Sequence, residues 1–97
     1  MEQPIKDFDV TQRKLRETYL SKNRRYGNSF DKSIDRFGII AAVVRINDKT
    51  ERLSQLTMGV DESVDESFED TLLDLANYAT MAAAYIERKR RTISEDF

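Results

Sequence analysis

Between Phe68 and Ile86 the apolar residues Phe68, Leu72, Leu75, Ala79, Ala82 and Ile86 are spaced alternately by four and three. That spacing puts them on one stripe of an α-helix and cannot suit a strand, where a face repeats every two residues. The helix is expected to run from about Glu62 to Arg91. Ser63-x-x-Glu66 is a capping-box pattern at its start. Acids near its N-terminus and the run Arg88-Lys89-Arg90-Arg91 near its C-terminus both complement the helix dipole. The small residues Ala82, Ala83 and Ala84 permit close approach of another helix, and residues 94–97 read as a frayed tail.

The rest of the chain follows the same logic. Three Gly and one Pro in 97 residues leave few places to turn. Asp9 to Asn23 reads as a helix with a thin apolar stripe of Val10, Leu15, Tyr19 and Leu20, capped by Asp7 or Asp9. Gly27 and Asn28 both tolerate positive φ and mark a turn, after which Asn28 or Ser29 can cap the next helix. A second helical region spans about Phe30 to Leu56, with a kink or short break at Gly38. Ile39, Val43, Ile46 and Leu53 lie on one face of it, and Phe37, Ile40 and Val44 on the opposite face. A strand over Gly38–Val44 is the alternative, but Ala41-Ala42 interrupt the β-branched residues and the helical pattern continues for three more turns. Gly59 suits the C-terminal end of this region.

The expected fold is therefore all-α: one small domain, residues 1–97 with a core over about 9–91, built of three to four helices. A domain of this size buries only roughly 60–65% of its unfolded surface. The apolar face of Phe37, Ile40 and Val44 has no obvious partner within one chain, so a second copy is expected to complete the core as a homo-oligomer.

Composition excludes whole classes of chemistry. The chain has no Cys and no His, which removes disulfides, thiolate nucleophiles, imidazole ligands and Ser-His-Asp catalysis. Any metal must be held by oxygen, which favours Mg²⁺ or Mn²⁺. The start Met-Glu-Gln-Pro has no charged segment followed by an apolar run, so no signal peptide is expected. The apolar block Gly38–Val44 is too short to span a bilayer. The expectation is a cytoplasmic protein with no membrane partner.

A net charge of −2 hides segregation. Residues 11–36 carry eight Lys or Arg against three acids, whereas residues 61–74 carry seven acids and no base. Asp70, Asp74 and Asn77 share one helical face where the last helix enters the core, and acids there usually meet a cation. Arg45, Lys49 and Arg52 form a basic stripe at i, i+4, i+7 on the preceding helix, suited to phosphate oxygens or to an internal lattice with Asp70 and Asp74. Asp48 and Glu51 stand beside that stripe and can either pair with it or join Asp70 and Asp74 around Mg²⁺. Tyr78 can stack on a base, Asn77 can bond a base edge or ribose, and the Tyr26-Gly27 turn can cradle a phosphate. Direct binding of DNA or RNA is not expected, because the basic residues lack a grouped stacking set and the acidic run repels a phosphate backbone.

Three segments, Arg25-Tyr26-Gly27-Asn28-Ser29-Phe30, Arg45-Ile46-Asn47-Asp48-Lys49-x-x-Arg52 and Glu69-Asp70-Thr71-Leu72-Leu73-Asp74-Leu75-Ala76-Asn77-Tyr78, resemble a phage and bacterial family, the first of the nucleotide-modification-associated domains. The resemblance spans roughly Leu20 to Ile86. It implies an all-α oligomer acting on or binding a nucleotide, akin to the MazG-like pyrophosphatases, whose paired acidic motifs hold Mg²⁺. Asp48-x-x-Glu51 is a loose match to the first motif. In the second, Asp74 matches the final acid, but Thr71 stands where an acid is required and Asp70 lies one position further back. An incomplete metal site beside intact basic and aromatic groups implies a binder. The ligand would be a nucleotide, cyclic or linear, or a nucleotide-derived signal, sequestered in a host cytoplasm as an anti-defence device. A Mg²⁺-dependent nucleoside triphosphate pyrophosphatase is the alternative, and a purely structural interaction domain the third.

Overall fold

The computed structural model describes the backbone of residues 2–26, 28–59 and 64–95, and the side chains of 2–24, 28–59 and 68–92. It is all-helical, with four helices in the order α1 (Glu2–Tyr26), α2 (Ser29–Phe37), α3 (Ile40–Thr57) and α4 (Val64–Glu95). No strand occurs among the described residues. The first helix starts seven residues before the expected Asp9, so neither Asp7 nor Asp9 caps it; both lie inside α1. The capping-box residue Ser63, the side chain of its partner Glu66, and Gly27 of the first turn lie outside the described residues.

The break at Gly38 is complete. Its φ of 88° and ψ of 177° take the chain out of α2, while its N–H donates to Ile34 O at 2.7 Å and closes that helix. Its carbonyl then accepts from Ala41 N at 3.0 Å as α3 begins. Asn28 precedes α2 with a left-handed φ of 63°, and its side chain makes no capping hydrogen bond. Gly59, φ 72°, sits just past the C-cap residue Met58, where a left-handed residue often ends a helix.

The main packing is between α3 and α4. Lys49 pairs with Asp74, and one turn earlier on α3 Arg45 shares a cavity with Tyr78 and Met81, later on α4. The two helices therefore run antiparallel. The α2 helix lies against α3 and α4, and it holds α4 by the Phe30–Tyr78 ring contact and by polar pairs. Tyr85 Oη donates to Asp35 Oδ1 at 2.6 Å, Arg88 Nη1 pairs with Asp31 Oδ2 at 2.9 Å and Lys89 with Asp35 at 3.6 Å. The Tyr85 hydrogen bond holds the Asp35 carboxyl below its ordinary range and pushes the phenol above its own.

Which faces are buried differs from the expectation in two places. On α3 the inward line is Ala42, Ile46, Lys49, Leu53 and Leu56, so Ile46 and Leu53 are inside but Ile39 and Val43 are exposed. On α4 the inward line is Phe68, Thr71, Leu75, Tyr78, Ala82 and Tyr85. It shares Phe68, Leu75 and Ala82 with the apolar stripe but replaces Leu72, Ala79 and Ile86 by their neighbours. The physical reason is partnership: Tyr78 meets Phe30, Tyr85 meets Asp35, and Asp74 on the same side meets two lysines. No buried side-chain polar atom lacks a hydrogen bond among the described residues, so Thr71 is accommodated without cost.

The resulting core is small. Only Ile34, Ala42 and Leu56 are fully buried apolar side chains among the described residues. The radius of gyration is 15.9 Å and the extents are 52 × 35 × 25 Å. A compact chain of this length has a radius of about 12–13 Å. Much of the excess comes from α1, whose first half is exposed, including Ile5 and Phe8. No described helix is long and apolar enough to cross a membrane.

Because Leu56 is 2% exposed in so small a core, Leu56→Ala is expected to destabilise by about 2–5 kcal/mol. Leu72→Ala, on the outward line of α4, is expected to cost less than about 1 kcal/mol. Urea-unfolding midpoints of the two variants measure the contrast.

Candidate functional site

The α1 helix crosses α4 through polar contacts. Lys14 pairs with Glu69 at 3.5 Å, Lys22 Nζ pairs with Asp74 Oδ1 at 2.6 Å, and Asn77 Nδ2 donates to Leu15 O at 3.1 Å. On the other side of Asp74, Lys49 Nζ approaches Oδ2 at 3.1 Å. One carboxylate on α4 thus binds ammonium groups from both α1 and α3. Burial works to raise the Asp74 pKa, but the hydrogen bonds and charges of Lys22 and Lys49 outweigh it, and the group lies below its ordinary 3.8.

Beside this triad all four helices enclose a cavity of about 370 Å³. Lys22, Arg45, Lys49 and Asp74 supply its charges, three cations against one carboxylate. Tyr19, Phe30, Tyr78 and Met81 supply apolar wall, and Asn23, Ser29 and Asn77 supply uncharged polar groups. Phe30 and Tyr78 stack with centroids 5.6 Å apart and planes 12° from parallel. Arg45 makes no hydrogen bond or ion pair with any described residue, so its guanidinium lines the cavity with its donors uncommitted. Asn77 gives one amide N–H to Leu15 O. This leaves its oxygen as an acceptor and its second N–H as a donor toward a ligand.

Five of the expected ligand residues, Arg45, Lys49, Asp74, Asn77 and Tyr78, come together here. Arg52 and Asp70 do not line the cavity; Arg52 is engaged elsewhere and Asp70 is exposed. Tyr26 ends α1, and its side chain lies outside the described residues. The acids considered for Mg²⁺, Asp48, Glu51, Asp70 and Asp74, are not gathered. No three acids among the described residues are placed to hold a metal ion, and both Asp74 oxygens are taken by ammonium groups. Among the described residues the donor set does not fit a resident metal.

The residues from α1 and α2 were not evident from the sequence. Tyr19, Lys22 and Asn23 are spaced i, i+3, i+4, so one face of α1 carries all three. That pattern was readable, but its partner helix was not. Ser29 and Phe30 enter because α2 begins beside Tyr78, a contact between residues far apart in the chain.

Asp74 stabilises the fold in its ionised form. Its folded pKa is depressed, so the contribution is present above the unfolded value and is lost as the pH falls through the folded one. Asp74→Asn is expected to cost about 1 kcal/mol at pH 7, after allowing for partial solvent screening. It is also expected to flatten the acid limb of stability below the ordinary carboxylate pKa. Thermal melts of both proteins from pH 7 down to the acid transition check both effects.

The family described as nucleotide modification associated domain 1 matches residues 22–86, well over half of the chain. The chain belongs to that family. No curated protein and no solved structure matches it.

Proposed function

We propose that this member of the nucleotide modification associated domain 1 family binds a phosphorylated nucleotide, or a signal made from one, in the cavity beside Asp74 and holds it without turnover. One observation carries the reading: an uncommitted guanidinium, Arg45, opens onto a cavity walled by a stacked aromatic pair. A guanidinium fork matches two phosphate oxygens, and an aromatic face matches a base. The cavity volume of about 370 Å³ falls at the lower end of small-ligand sites, which run from about 300 to 1,000 Å³. Lys49 and Lys22 lie at the same wall, and Asp74 holds them in place while leaving the site net positive.

Sequestration suits this chemistry better than hydrolysis. Pyrophosphate release of the MazG-like kind needs several carboxylates around Mg²⁺, and among the described residues they are not assembled. In this reading the protein works in a cytoplasm, that of the host cell where a phage encodes it, and withdraws the nucleotide from use. Isothermal calorimetry against a nucleotide and cyclic-nucleotide panel is expected to find a ligand. Arg45→Ala is expected to weaken its binding about tenfold or more, with little change in thermal stability. Absence of heat with every nucleotide would leave only an interaction domain. Pyrophosphate release in Mg²⁺ that Asp74→Asn abolishes would turn the reading into an enzyme.

We also propose that the working form is a homo-oligomer. Phe37, Ile39, Ile40, Val43 and Val44 form an apolar face around the α2–α3 junction and are 46–64% exposed. A second copy supplies what a chain with three fully buried apolar residues among those described lacks. Sedimentation is expected to give a multiple of the chain mass, and Val43→Asp with Ile40→Asp is expected to return it to one chain.

A further inference from the structure

We propose that the ligand holds two phosphodiester-linked nucleotides, one in the cavity and the second in the adjoining arginine-lined groove; this rests on the nucleotide reading above. From their crossing near Leu15 and Asn77, α1 and the C-terminal half of α4 border a groove of about 750 Å³. It shares Tyr19, Asn77 and Met81 with the cavity, so the two spaces have a common wall.

The chemistry of the groove is that of a phosphate site. Arg13 and Arg16 line it from α1, and Arg88 and Arg91 from α4, against the two acids Asp9 and Asp31. Asp31 is already taken by Arg88 Nη1 at 2.9 Å. Arg13, Arg16 and Arg91 make no hydrogen bond or ion pair with any described residue. Each arginine pair is spaced i, i+3, which puts both members on one side of its helix. Two helices thus present guanidinium groups to one groove, and Asp9 is the one lining carboxylate left to offset three of them. Like charges brought together this way repel unless an anion joins them. Guanidinium binds phosphodiester oxygens in a fork, and Tyr19 lines both spaces as an aromatic a base can stack on. A mononucleotide uses the cavity alone. A dinucleotide also uses the groove. A long polyanion is disfavoured, since residues 61–74 carry seven carboxylates and no base.

The test is calorimetry of the full chain with 5′-phosphorylated mononucleotides, the matching linear dinucleotides and an octanucleotide. At least one dinucleotide is expected to bind about tenfold or more tighter than its component mononucleotides. Arg13→Ala with Arg16→Ala is expected to abolish that gain while leaving mononucleotide affinity and the thermal melt unchanged. Arg91→Ala, from the opposite wall, is expected to reduce the gain on its own. Mononucleotide binding with no dinucleotide gain overturns this inference and leaves the cavity reading intact, as does a gain that survives all three substitutions. Tighter binding of the octanucleotide overturns it in favour of an open polyanion track. No binding of any probe overturns both readings together.

Discussion

The arrangement turns on one carboxylate. Asp74 receives Lys22 from α1 and Lys49 from α3 at 2.6 and 3.1 Å, so three helices meet at a single side chain. Without it the two ammonium groups would oppose each other across a part-buried space. With it they are fixed, and the cavity beside them acquires a defined wall. The other links between α1 and α4 are the exposed pair Lys14–Glu69 and the Asn77 hydrogen bond to Leu15 O, among those described. Asp74 therefore positions the cavity as much as it stabilises the fold, because a displaced α1 takes Tyr19, Lys22 and Asn23 with it.

The helices were legible from the sequence because helical periodicity is local. The sides they bury were less so. Around Ile39–Val44 α3 is apolar nearly all round, and periodicity cannot say which side is buried; the small Ala42 is, while Val43 and Val44 face outward. On α4 two interleaved lines compete, one of Leu72, Ala79 and Ile86, the other of Thr71, Tyr78 and Tyr85. Hydropathy favours the first, yet the second is inward because each tyrosine finds a specific partner. The outward apolar line and the Phe37–Val44 face together support a larger assembly, since both sets would then lose contact with water.

The site was half readable for the same reason. Arg45, Lys49, Asp74, Asn77 and Tyr78 lie on two helices joined by a short connection, so facing them across an antiparallel pair needs no long-range information. Lys22 and Phe30 need the register of α1 and α2 against α4, which no spacing within either helix encodes. Asn77 changes role accordingly. One amide N–H serves the backbone of α1, and its oxygen and second N–H remain for a ligand.

The polar attachment of α1 has a consequence for how the molecule responds to its medium. The α3–α4 pair adds apolar packing to its one more sheltered ion pair, Lys49–Asp74, and is less sensitive to added electrolyte, whereas α1 is held by ion pairs whose lysines are about half exposed. At 0.15 M ionic strength the screening length is about 8 Å, and it shrinks to about 3 Å at 1 M. Concentrated salt therefore loosens the first helix while the hairpin stays shut, and the cavity can open along one seam with the rest of the protein still folded.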